Sequence, residues 1–148
     1  MRILGLDYGS RRIGVAICDE LGMTAQGVTT ISRRNREADL GAIDDLVRRH
    51  AVERIVIGYP LRLDGSEGIQ CEKINRFIRR LEARVSLPVT RWDETLSTSE
   101  AAELLRRGGV PREKRRGMVD RIAASIILQG YLDALARGGN RDGNSNLR

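Results

Sequence analysis

The 148-residue sequence predicts an α/β fold: a five-stranded mixed sheet in the order βββαβαβαα, with helices packed on its faces. Three observations carry this. Short apolar runs at hairpin spacing open the chain, the apolar period then switches to that of a helix, and strand-like and helix-like segments alternate from there on.

Ile3 to Tyr8 is the first apolar run, and Arg12 to Cys18, rich in Ile and Val, is the second. Gly27 to Ile31 is a third, β-branched run. The breaks Gly9-Ser10-Arg11 and Leu21-Gly22-Met23 are short and contain Gly, so the three strands form an antiparallel meander. From Arg36 to His50, Leu40, Ile43, Leu46 and Val47 share one helical face, with acids early and Arg48-Arg49 late, as the helix dipole favours. Arg54 to Gly58 reads as a buried strand, and Gly65 to Arg84 as a helix with Ile69, Ile74, Phe77, Ile78 and Leu81 inward. Pro88 to Asp93 is the fifth strand, and the last two strands add in parallel by crossover. Ser97-Thr98-Ser99-Glu100 fits a capping box, which starts a helix running to about Arg107, where Gly108-Gly109-Val110-Pro111 stops it. The last helix spans roughly Val119 to Ala136 and opens with Asp120. One domain therefore covers residues 1–136, and the Gly/Asn/Ser-rich residues 137–148 read as a disordered tail.

Composition excludes several classes. The longest stretch without a charged residue is Leu21 to Ser32, far short of the ~18 apolar residues of a membrane span, so no membrane partner is expected. Asp7 interrupts the N-terminal apolar run too early for a signal peptide. Two cysteines, Cys18 and Cys71, and one histidine, His50, are too few for a Cys/His zinc site. Without a secretion signal they predict reduced thiols and a cytoplasmic location.

The net charge is +6, and of 26 basic residues only Lys73 and Lys114 are not Arg. Arg presents a planar fork suited to phosphate, although codon bias explains an Arg-for-Lys skew equally well. Its placement is more telling. Between Arg106 and Arg121, Arg106, Arg107, Arg112, Lys114, Arg115, Arg116 and Arg121 face only Glu113 and Asp120, so sixteen residues carry +5 and the rest of the chain +1. A flexible basic loop leading into Asp120 is what a phosphate-backbone track requires. The five aromatic residues offer little base stacking, which favours recognition of backbone and shape.

Ligands of open α/β sheets bind beyond the C-terminal ends of the parallel strands. Asp7 ends the first strand, Asp93-Glu94 ends the fifth and Asp120 opens the last helix, so acids from distant parts of the chain converge at one end. An all-oxygen set without His or Cys suits Mg²⁺ or Mn²⁺, and two such ions about 3.5–4 Å apart can promote phosphodiester cleavage. The alternatives are a turn cap for Asp7, a dipole-favoured first-turn acid for Asp120, and an ordinary loop pair for Asp93 and Glu94.

Four motifs in this order resemble the YqgF/RuvX family: Leu6-Asp7-Tyr8-Gly9-Ser10-Arg11-Arg12-Ile13-Gly14-Val15-Ala16, Ile57-Gly58-Tyr59-Pro60-Leu61-Arg62-Leu63-Asp64-Gly65-Ser66, Trp92-Asp93-Glu94-Thr95-Leu96-Ser97-Thr98 and Val119-Asp120-Arg121-Ile122-Ala123-Ala124. The resemblance implies an RNase H-like fold and a metal-dependent nuclease with Asp7, Glu94 and Asp120 as catalytic and metal-binding acids. It implies a role at the 5′ end of the 16S ribosomal RNA precursor or, alternatively, resolution of Holliday junctions. Thr95 stands where the family motif carries Arg. Around the acids, Arg11, Arg12, Arg112, Lys114, Arg115, Arg116 and Arg121 are expected to contact nucleic acid. Ser66 either donates to a phosphate near a helix start or takes part in capping.

The expected partner is thus structured RNA or branched DNA, met by a monomer or a homodimer. A different class, a non-catalytic RNA-binding assembly factor, explains the same basic segment. Leu6-Asp7-Tyr8-Gly9 followed by Gly14 also resembles the phosphate hairpin of actin-like ATPases, but those normally pair two such domains.

Overall fold

Residues 1–62, 64–93 and 97–138 are described by a computed structural model, with Ser97–Glu100 and Arg116 described as backbone only. Along the chain run β1 (Ile3–Tyr8), β2 (Arg12–Cys18), β3 (Ala25–Ser32), α1 (Arg36–Arg49), β4 (Arg54–Tyr59), α2 (Ile69–Val85), β5 (Val89–Asp93), α3 (Ser97–Arg107) and α4 (Arg112–Gly138). The sheet order is β3-β2-β1-β4-β5, antiparallel from β3 to β1 and parallel from β1 to β5. This is the βββαβαβαα order that the periodicity predicts.

Strand alternation sorts side chains into two cores. Leu4, Leu6, Ile13, Val15, Ile55 and Ile57 pack under α1 and α2, whose apolar stripes supply Ile43, Ile74, Ile78 and Leu81. Ile3, Ala16, Cys18 and Val56 face the other way and pack under α4, against Ala124, Ile127, Leu128 and Tyr131. Both cysteines are buried and unbridged. Among the described residues no helix is long and apolar enough to cross a membrane.

Small residues let α4 lie close to the meander. A Cβ at Gly5 would stand 2.8 Å from the Leu128 Cβ, one at Gly27 would stand 3.0 Å from the Arg121 Cβ, and one at Gly14 would collide with the Asp120 backbone carbonyl. Polar contacts fix the register of the helix on β3: Thr30 Oγ1 donates to the Gly117 carbonyl at 2.6 Å, and Gln129 Oε1 accepts from the Ala25 amide at 2.9 Å.

Helix α1 starts as expected, with Asn35 accepting from the Ala38 amide at 2.9 Å. Two boundaries differ from the sequence reading. Helix α2 begins at Ile69 rather than Gly65, because Asp64 and Ser66 form a local turn: Asp64 Oδ1 accepts from the Ser66 amide at 2.9 Å, and Gly65 sits at φ +86°. Helix α4 begins at Arg112, so most of the expected basic loop is helix. Its first turn is exposed and carries no apolar stripe, which hides it from a periodicity argument. Asp120 consequently lies in the third turn of α4, not at its start. The helix runs through Gly138; residues 139–148, most of the expected tail, lie outside the described residues.

Candidate active site

Asp7 is the penultimate residue of β1 and follows Ile3 and Gly5 on the face that α4 covers. Its relative exposure is 8%, so a carboxylate is held at the sheet end with little access to water. Such burial is costly unless the charge is compensated. The ladder partner of Asp7 is Gly14 of β2, the glycine on which the Asp120 backbone rests. Asp7 and Asp120, far apart in sequence, are therefore brought to either side of one glycine. Any side chain at Gly14 would push α4 away from the strand that carries Asp7.

Arg12 lies two residues before Gly14 and shares its face. Its Nε donates to Asp120 Oδ2 at 2.6 Å. The pair is partly sheltered, with the Asp120 side chain 15% exposed and that of Arg12 34%. The sequence reading gives Arg12 to nucleic acid. In the structure it pairs with Asp120, a contact that no spacing rule could show across 108 residues.

At the end of β5, Trp92 faces α4 and packs edge-on against Tyr131, with ring centroids 5.6 Å apart. Asp93 is paired with Tyr59 and belongs to the opposite face by alternation. Its neighbour Glu94, the third expected acid, lies outside the described residues, as does Thr95. Among the described residues, no three acidic, His or Cys side chains gather closely enough to hold a metal ion.

Ser66 caps no helix; its hydroxyl donates to Asp64 Oδ1 at 2.6 Å within the local turn. Beside that loop, the Tyr59 hydroxyl donates to Glu67 Oε1 at 2.7 Å and accepts from Asn75 Nδ2 at 2.9 Å. Burial, then the hydrogen bond to Glu67, pushes the Tyr59 phenol up to about 12, so it stays a neutral donor and holds the loop to α2.

The basic segment divides on folding. Arg106 and Arg107 both turn back to Glu103 of α3, Arg107 Nε at 3.0 Å. Arg112 and Arg115 line a cleft of about 650 Å³ between α3 and α4, with Ala102 and Val119, the residue before Asp120. Arg115 Nε is buried there and has no hydrogen-bond partner among the described residues. Lys114 and Arg11 are exposed, Arg121 sits over Gly27 of β3, and the Arg116 side chain is outside the described set.

The sequence model of RuvX, described as a Holliday junction resolvase, matches residues 1–134. A relative from Syntrophus aciditrophicus is 67% identical over 93% of this chain and 91% of its own length. Another, from Moorella thermoacetica, is 51% identical over 94% of this chain and 99% of its own. Both carry the name "Putative pre-16S rRNA nuclease". In structure the chain is similar to Thermus thermophilus RuvC bound to Holliday junction substrate (TM-score 0.55, 16% identity, 96% of this chain and 98% of that one). It is also similar to the fowlpox virus resolvase with junction DNA (TM-score 0.55, 14% identity, 91% and 99%). These two likenesses show the RNase H-like fold. With a family match over nearly its whole length and a relative two-thirds identical to it, the chain belongs to the RuvX family.

Proposed function

We propose that the protein is a metal-dependent endonuclease that hydrolyses phosphodiester bonds of structured RNA, acting at the 5′ end of the 16S ribosomal RNA precursor in the cytoplasm. The observation that carries this reading is that the Asp120 backbone rests on Gly14, the ladder partner of Asp7 near the end of β1. The names of the two relatives described above support the choice of substrate.

The donor set fits a hard divalent cation. Asp7 and Asp120 offer only carboxylate oxygens, and no His or Cys stands in the motifs that carry them. Asp7, Asp120 and, from the family motif, Glu94 would hold Mg²⁺ or Mn²⁺, with two ions as the fitting number. Bound divalent cations supply Lewis-acid activation of water and stabilisation of the leaving oxygen in phosphodiester hydrolysis. The chain's own residues do the rest. Arg12 holds one oxygen of Asp120. Arg112 and Arg115 grip backbone phosphate at the α3–α4 cleft, which Glu113 also lines. Arg11, Lys114, Arg116 and Arg121 extend the basic surface around it.

A cleavage panel tests the reading: a 16S precursor 5′ leader, a four-way DNA junction and unstructured single strands, each with Mg²⁺, Mn²⁺ or EDTA. The expected result is metal-dependent cutting of the leader. Paired symmetric cuts in the junction with the leader intact would replace it by resolvase action. Binding without any cleavage would replace it by an RNA-binding assembly factor.

A further inference from the structure

The face of the sheet opposite Asp7 carries a groove that the proposed chemistry does not use. Tyr8 follows Asp7 and, by alternation, points to the α1–α2 side, where it stacks on Phe77 with centroids 4.2 Å apart. Over this floor run two adjoining clefts of about 370 and 360 Å³ that share Tyr8, Ser10, Arg33 and Arg80. Arg34 enters from the segment before α1, and Lys73 and Arg76 enter from α2. Lys73, Arg76 and Arg80 are spaced three and four residues apart, so they form one stripe roughly 10 Å long.

These cations are not spent on internal partners. Among the described residues, Arg34, Lys73, Arg76 and Arg80 make no ion pair. The acid lining the groove, Asp39, is 5% exposed and already engaged: it accepts from the Arg34 amide at 3.0 Å and faces Arg33 Nε at 3.7 Å. Arg33 is fixed in place. Its guanidinium lies 4.5 Å over the Tyr8 ring and donates to the carbonyls of Gly9 at 2.9 Å and Ser10 at 3.2 Å. The groove is thereby tied to the β1–β2 turn, and the other side of that turn's strand carries Asp7.

We propose that this groove binds the phosphate backbone of the nucleic acid outside the cleaved segment, so that the substrate crosses the β1–β2 turn at Ser10 and is held on both faces of the sheet. The proposal rests on the nuclease reading for the identity of its ligand. Charge complementarity supports it: an uncompensated stripe of cations over an aromatic floor matches a polyanion. Continuity supports it as well, since the groove begins one residue from Asp7. A chain gripped on both faces must bend or branch, which selects a stem with a leader over a short single strand.

The test measures binding of the full chain in EDTA, so that no cleavage occurs. The probes are a stem-loop RNA of about 40 nucleotides with a 5′ leader and an 8-nucleotide strand, each across a salt series. The double variant Arg76→Ala/Arg80→Ala is expected to bind the stem-loop about tenfold more weakly, with the slope of log affinity against log salt reduced by about 2. The loss is expected to be smaller for the 8-nucleotide strand. Arg79→Ala, on α2 outside the groove, is the control and is expected to match the unmodified chain. An equal loss in the control, an unchanged slope in the double variant, or equally effective competition by polyglutamate of matched charge would overturn the proposal. Failure of the unmodified chain to cleave RNA in the metal-containing panel would instead sink the nuclease reading and leave this binding result standing.

Discussion

The Arg12 Nε lies 2.6 Å from the Asp120 Oδ2, joining the second strand to the third turn of the last helix. The contact neutralises part of the charge of Asp120 and fixes one oxygen of a candidate ligand. Partners of this kind orient ligands, and their loss typically costs about 10–100-fold in metal affinity or activity. Arg12→Ala is therefore expected to lower cleavage by about that factor and to raise the Mn²⁺ concentration needed for half-maximal rate. Arg12→Lys restores the charge without the planar fork and should recover only part of it. Rates measured over a Mn²⁺ titration decide this. An unchanged metal requirement in Arg12→Ala would show that the contact positions nothing.

Gly14 and Gly117 make opposite predictions. A Cβ at Gly14 would collide with the Asp120 carbonyl, so Gly14→Ala must displace α4 or its strand, at a cost of about 1–3 kcal/mol or more. Gly117 lies within α4, and a Cβ there would meet nothing within 4 Å, so Gly117→Ala should stabilise the helix by roughly 0.5–1 kcal/mol. Urea unfolding of the two variants against the unmodified chain measures both signs.

Acid sensitivity should trace partly to Asp44 of α1. The hydrogen bond from Arg48, followed by that from Arg84, holds its carboxyl below the usual range. Arg48 Nη2 stands 2.6 Å from Asp44 Oδ2, and Arg84 Nε stands 3.1 Å from it. A carboxyl whose pKa is lower folded than unfolded stabilises the fold above its unfolded value and loses that contribution as pH falls through the folded one. Stability should therefore drop as pH falls below about 4, and Asp44→Asn should flatten the drop. Melting temperatures from about pH 6 to about pH 2.5 give the comparison. A variant that is as acid-sensitive as the parent would place the loss elsewhere.

The strand and helix order was legible because each element that packs on the sheet carries its own period. The misplaced boundaries are those where no apolar residue marks the chain. Arg112–Lys114 is exposed helix, signalled only by Pro111 just before it, and Asp64–Ser66 is a turn whose side-chain hydrogen bonds have no periodic trace. At the site, Asp7 and Asp120 could be picked out as candidates from their motifs, and Asp7 also from its place near the end of β1, but Gly14 could not, because its importance lies in a contact across the fold. The groove on the opposite face escaped a running charge count for the same reason. Its cations come from two distant segments, and acids such as Glu72 and Glu82 cancel them in sequence without meeting them in space.

The central claim is that Asp7 is a ligand of the metal that drives phosphodiester hydrolysis. Asp7→Asn preserves the shape of the side chain and removes its charge. Cleavage of the 16S precursor 5′ leader by this variant and by the unmodified chain, with Mg²⁺ or Mn²⁺ and with EDTA, is the direct measurement. The account predicts metal-dependent cutting by the unmodified chain and none by Asp7→Asn, with binding of the leader retained. Metal-dependent cutting by Asp7→Asn at the parent rate would contradict it.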